Sequence, residues 1–205
     1  MWKLLARCAP GALPSIVMWI IARVSGAALA VALGLVGCVP TTTPASPAPR
    51  PSATPVFATE AEALAAAIEA YAAYVRVSDQ ILADGGNNPE RIEQVASGEA
   101  LDGALAGYYD FRQRGLHSVG DSKIDHVSLQ KFSPESLSSK NMVSIYACLD
   151  VEGVDVLDQS GTSVVSPQRP SRQPFQVSAD WRESKQQLVV TSRDPWLDSG
   201  ICEMD

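Results

Sequence analysis

At 205 residues the chain is long enough for one ordinary domain of ~100–200 residues with extensions. An apolar fraction of 46% beside 19% charged residues argues against disorder throughout, and a formal charge of -7 argues against an electrostatic grip on nucleic acid, so no nucleic-acid partner is expected. The charge is uneven: residues 1–37 hold only the basic Lys3, Arg7 and Arg23, leaving 13 Lys and Arg against 23 Asp and Glu in the remainder, a net -10.

Arg23 is followed by Val24 to Val36, a run of 13 apolar or small side chains. Positive charge, a short apolar core and then small residues is the order of a secretory leader, whereas a spanning helix needs ~20 apolar residues. Taking in Ile16 to Ile21 lengthens the stretch but places Arg23 inside it, and an uncleaved anchor stands as the alternative. The residues that close the run, Leu35-Val36-Gly37-Cys38, resemble the lipobox of bacterial lipoproteins, including those of the actinobacterial type. The resemblance implies that residues 1–37 are a cleaved signal peptide carrying Cys8 away, and that the Cys38 thiol receives lipid of the palmitate kind. The mature chain is then a lipoprotein held at the extracytoplasmic face of the cell membrane. Two or more acyl chains anchor stably where a single chain is marginal. Met18-Trp19 repeats Met1-Trp2, so Met1 and Met18 both stand as starts.

Residues 38–58 read as the lipidated cysteine and a linker. Pro40, Pro44, Pro47, Pro49, Pro51 and Pro55 alternate there with Thr, Ser and Ala. Proline removes amide donors and fixes φ, so the stretch forms a semi-extended spacer of up to ~60 Å. A Pro-rich ligand or a glycosylated stalk is the sharper alternative.

Residues 59–205 form the predicted folded domain. Thr59 and Glu62 read as a capping box opening a long helix, with Leu64, Ile68, Tyr71, Val75 and Leu82 on its apolar face and Gly85-Gly86 at its end. Asn88-Pro89-Glu90 starts a short second helix with Ile92 and Val95 inward. A third runs from about Glu99 to Arg114, where Gly103 and Gly107 offer room for another backbone or merely lower the propensity. His117, just after it, suits the helix C-terminal dipole. Beyond Gly120 the period becomes two, and Lys123–Phe132, Met142–Val151, Pro174–Trp181 and Gln187–Arg193 read as strands. Val143, Ile145, Ala147 and Leu149 alternate with Ser144, Tyr146, Cys148 and Asp150, the pattern of a sheet with one covered and one wetter face. Asp158 to Gly161 marks a turn between Val156 and Val164.

Helices followed by strands give an α+β fold: three N-terminal helices packed on one face of a curved antiparallel sheet of at least four strands. From Glu60 to Cys202 this order resembles the nuclear transport factor 2-like, cone-shaped α+β superfamily, with a cystatin-like single helix in a sheet as the alternative. The resemblance implies a cone cavity between helices and sheet, lined by residues such as Tyr71, Tyr108 and Ile145, and pairing through the sheet's outer face.

Cys148 and Cys202 are the cysteines that remain in an exported chain, and a disulfide is expected between them, the alternative being one buried and one exposed thiol. In enzymes of the cone superfamily an Asp base and phenolic donors meet inside the cone. By type Asp121, Asp125, Tyr108 and Tyr146 are candidates here, but none sits in a motif. His126 lacks a visible partner nucleophile. Asp150, Glu152, Asp155 and Asp158 miss the spacing of a calcium loop and read as a solvated strand edge and turn. No catalytic, cofactor-binding or metal-binding residue is assigned, and no cofactor is expected. The expected role is that of a non-enzymatic binding or scaffold module, with an envelope protein or a second copy as partner. A carrier of a small apolar ligand and an isomerase- or dehydratase-like enzyme are the alternatives.

Overall fold

The computed structural model describes residues 56–134, 142–197 and 200–203. The leader, the lipobox with Cys38 and the linker up to residue 55 lie outside the described residues. Among those described, no helix is long and apolar enough to cross a membrane.

Helix α1 (Glu60–Ala83) starts where its cap predicts. Thr59 Oγ1 accepts from the Glu62 amide at 3.2 Å, and Glu62 Oε2 accepts from the Ala58 amide at 2.8 Å. The return bond lands one residue ahead of the usual capping-box position. The buried stripe keeps Tyr71 and Val75 of the expected one and otherwise differs. It follows Ala63, Ala67, Ala70, Tyr71, Tyr74, Val75 and Ile81, while Ile68 is 37% exposed. Methyl side chains let the helix axis approach the sheet, so alanine takes the inward positions that larger residues would hold further off. Gly86 ends the helix at φ +77, its amide donating to the Ile81 carbonyl at 2.8 Å. A Cβ there would stand 2.5 Å from the Tyr108 carbonyl oxygen, so only glycine fits where the chain crosses the next helix.

In place of the three expected helices there are two, α1 and α2 (Gly98–Gln113), joined through a 3-10 helix over Pro89–Gln94. Asn88 sits in the left-handed region at φ 49 and Pro89 brings no amide, so this segment closes only tight turns. Its Ile92 is fully buried, as expected.

The strands are β1 (His117–Val119), β2 (Lys123–Phe132), β3 (Val143–Asp150), β4 (Asp155–Leu157), β5 (Arg172–Arg182) and β6 (Gln187–Pro195). The main sheet is antiparallel in the order β2-β3-β5-β6, and its register shifts mark bulges in β2 and between β5 and β6 that bend it. β1 and β4 make a separate two-stranded sheet, which the sequence reading misses; His117 belongs to it, opposite Leu157, rather than capping a helix. The free edge of β6 is closed by the segment between the 3-10 helix and α2. The Val190 amide donates to the Val95 carbonyl and the Ser97 amide to the Val190 carbonyl, both at 2.9 Å. Arg182 locks this seam, donating to the carbonyls of Glu93 and Ala96 at 2.8 and 3.0 Å.

The core lies between the sheet and α1, where Val143, Ile145, Ala147, Phe175, Val177 and Val190 meet the alanine stripe. Val56 and Phe57, read above with the linker, pack on this core; the Phe57 ring meets the Trp181 ring edge-on at 5.8 Å. The sheet's other face is drier than its polar pattern predicts. Ser144 and Ser178 are 3% and 2% exposed and share a 3.0 Å hydrogen bond. The C-terminal segment packs against this side of the sheet. A Cys148–Cys202 disulfide, with Cα atoms 5.2 Å apart, ties α3 (Gly200–Glu203) to β3, and Trp196 lies 4.7 Å from the Tyr146 ring.

Candidate functional site

The site starts from one extra residue in β6. Ala179 pairs with Val190 and Ser178 with Ser192, so Thr191 is the extra residue at this register shift. An inserted residue reverses the face taken by everything after it. Arg193 therefore stands opposite Val177, on the helix-covered face, where alternation from Leu188 and Val190 would turn it outward. Its guanidinium lies 3.5 Å above the centre of the Phe175 ring, and its Nε donates to the Tyr71 hydroxyl at 3.1 Å. Its Nη atoms hydrogen-bond to no described residue, and the side chain lines a groove of about 310 Å³ between α1 and α2.

Tyr74, Ser78 and Leu82, spaced by four, form the α1 wall; Ala100, Gly103, Ala104 and Gly107 form the α2 wall, with Glu99 at its rim. Of the two readings of Gly103 and Gly107, the close approach of another backbone is not what the structure has. Nothing lies within 4 Å of where a Cβ would stand at either glycine. The space they leave is the groove.

Tyr108 closes one side. The residue is 4% exposed, and its hydroxyl has no hydrogen-bond partner among the described residues. Burial pushes its pKa up to about 12, outweighing the opposite hydrogen-bonding influence of the nearby Ser78 hydroxyl. Burial raises Tyr71 and Tyr74 as well, with the Arg193 charge pulling the other way. The groove thus holds a permanent cation flanked by phenols that keep their protons at neutral pH. Such phenols donate hydrogen bonds to an anion, and a pKa near 12 is far from what general acid–base work at pH 7 requires.

Of the residues considered by type, only Tyr108 reaches this groove. Asp125 and His126 sit at a bulge in β2, with His126 at φ 46, and are held by Arg172. Arg172 Nη2 donates to Asp125 Oδ2 and His126 Nδ1, both at 2.7 Å. Desolvation would raise the Asp125 carboxyl, but the Arg172 and His126 hydrogen bonds outweigh it and hold the group below the usual carboxylate range. Asp121 lies beside Asp79, whose carboxylate accepts from the Ser122 amide and hydroxyl at 2.9 Å and is raised chiefly by burial. Tyr146 is on the sheet's outer face under Trp196. The acidic run spends its oxygens locally: Asp155 accepts from Ser163 at 2.6 Å, and Asp158 from the Ser160 hydroxyl at 2.6 Å and the Thr162 amide at 3.0 Å.

Sequence reasoning misses Arg193, Tyr74 and Ser78 as partners. A bulge leaves no compositional mark, and the tyrosines read as ordinary helix-face residues. Two wider grooves flank the middle of α1. One, of about 830 Å³, is lined by Phe57, Arg76, Trp181 and Lys185; the other, of about 580 Å³, by Ile68, Arg76, Asp79 and Ile124. Neither brings a buried, unbonded polar group to its surface.

No family model matches the chain, and no curated protein matches it. Among solved structures, the intermembrane space region of the chloroplast protein ARC6 is similar at 11% identity and a TM-score of 0.48, over 66% of this chain and 97% of that one. The Kfla4162 protein from Kribbella flavida is similar at 14% identity and a TM-score of 0.37, over 66% of this chain and 91% of that one. These likenesses concern fold and carry nothing about ligand or partner.

Proposed function

We propose that the chain is a lipid-anchored protein of the cell envelope whose folded part, residues 59–205 with the two residues that pack just ahead of Thr59, is a non-enzymatic binding module. Its leader is residues 1–37, its anchor Cys38, and its place the extracytoplasmic face of the cell membrane. The observation that carries this reading is the Cys148–Cys202 bridge, since a structural disulfide persists where the compartment is oxidising. It agrees with the secretory order of the N-terminal residues. The α+β order, with helices on one face of a bent sheet, suits the nuclear transport factor 2-like kinship, which belongs to the same proposal.

Binding is favoured over catalysis by the groove's chemistry, a fixed guanidinium among phenols that do not titrate near neutrality. A carrier of an apolar ligand in a cone cavity ranks second. Tyr71 and Ile145, the residues that would line it, are 0% and 1% exposed and packed in the core. Pairing with a second copy or an envelope protein remains part of the proposal.

Fractionation tests the anchor. The native chain should sediment with membranes and leave them only in detergent, and Cys38→Ala should abolish processing of the leader and acyl labelling. A variant that is processed and partitions like the native chain contradicts the reading.

A further inference from the structure

We propose that the groove between α1 and α2 is a binding site for a monocarboxylate with a short aliphatic part, its carboxylate held between the Arg193 Nη atoms and the Tyr108 hydroxyl. The inference rests on the binding-module reading and supplies its ligand class. Four features carry it.

Arg193 is aimed at the groove by the Thr191 bulge and held there by Tyr71 Oη at Nε and the Phe175 ring beneath. With Nε engaged, the Nη edge remains for a planar, two-oxygen acceptor, which a carboxylate supplies. The Tyr108 hydroxyl is a donor in want of an acceptor: it is buried, unbonded, and part of the same groove wall. A native fold rarely tolerates such a group unless something else satisfies it. The remaining walls, Leu82, Ala100, Ala104 and the two open glycines, offer apolar surface and no further cation.

Charge and size narrow the class. One guanidinium attracts one carboxylate, and Glu99, which also lines the groove, opposes further negative charge. Multiply charged phosphates are therefore disfavoured. A volume of about 310 Å³ is room for about ten water molecules, which sets a ligand of similarly small size. Two sources present this chemistry, a free short-chain acid and the C-terminal residue of a peptide.

The test is the thermal midpoint of the full chain in detergent, at constant ionic strength, titrated with hexanoate, hexanamide, an acetylated tripeptide ending in leucine, the amide of that peptide, and inorganic phosphate. A saturable rise with hexanoate or with the peptide acid, absent with the matching amide and weaker with phosphate, is expected. Which acid acts identifies the source, and a rise with both assigns the site to the carboxylate alone. Tyr108→Phe should keep the fold and weaken binding ~10-fold, the scale of one hydrogen bond to a charged group. Gly107→Leu, entering open space, should keep the fold and abolish the rise. Amides acting as well as acids, no acid acting, or equal effects in native, Tyr108→Phe and Gly107→Leu chains would each overturn the proposal. Membrane fractionation of the same preparations separates the two readings: carboxylate binding by a chain that carries no anchor defeats only the envelope assignment, and an anchored chain that binds no acid defeats only the ligand class.

Discussion

A buried hydroxyl with no partner costs about 1–3 kcal/mol of desolvation, and Tyr108 carries one at 4% exposure. Removing the oxygen while keeping the ring should therefore stabilise the free protein. Tyr108→Phe is expected to raise the unfolding midpoint by about 2–4 °C, corresponding to ~1 kcal/mol in a domain of this size, read by circular dichroism at pH 7. An unchanged or lowered midpoint means that the hydroxyl is satisfied in solution. The same residue sets a pH dependence. With the native pKa at about 12 and the unfolded value near 10, the native state keeps a proton that the unfolded chain has lost. Stability attributable to Tyr108 is thus constant below pH 10 and falls as pH rises from 10 to 12. Phenolate absorbance at 295 nm should show a late step in the folded protein, and Tyr108→Phe should remove it.

Among the elements, the strands and the start of α1 were readable because their signals are local. Thr59 and Glu62 announce a helix start in four residues, and alternation in Val143 to Asp150 announces β3. What escaped reading depends on partners far away in sequence. Thr191 becomes a bulge only against Ser178 and Ala179, and that register decides the direction of Arg193. β1 and β4 are three residues each, too short to show a period, and pair across the intervening β2 and β3. The alanine stripe of α1 is hidden among larger apolar neighbours, since periodicity marks an apolar face without saying how closely the sheet approaches. The C-terminal segment is likewise tied to the outer face from far away in sequence, and that tie has a measurable weight. The bridged cysteines are 54 residues apart, and a loop of that length is worth about 4 kcal/mol in the chain-entropy model. Reduction, or Cys148→Ser with Cys202→Ser, should lower the unfolding midpoint by about 10 °C, at about 2–4 °C per kcal/mol for a domain of this size. It should also expose the chain near Trp196 to protease. A reduced protein that melts with the oxidised one removes the bridge from the account.

At the scale of the whole molecule, the linker joins the fold at Phe57, at the N-terminal end of α1, while the Arg193 groove is walled by residues 74–82 of that helix. At 1.5 Å per residue the two are separated by roughly 25–35 Å along the helix. In the proposed arrangement the chain leading from the anchor enters the fold at one end of α1 and the groove lies toward the other end of that helix. This design has meaning only for a protein that is tethered, so the covalent state of Cys38 is its foundation. The most direct measurement is the intact mass of the mature polypeptide purified from membranes. The account predicts a chain beginning at Cys38 and heavier than its amino acids by a diacylglycerol group, with or without a further amide-linked acyl chain. A mass showing an unmodified Cys38, or a leader still attached, contradicts it.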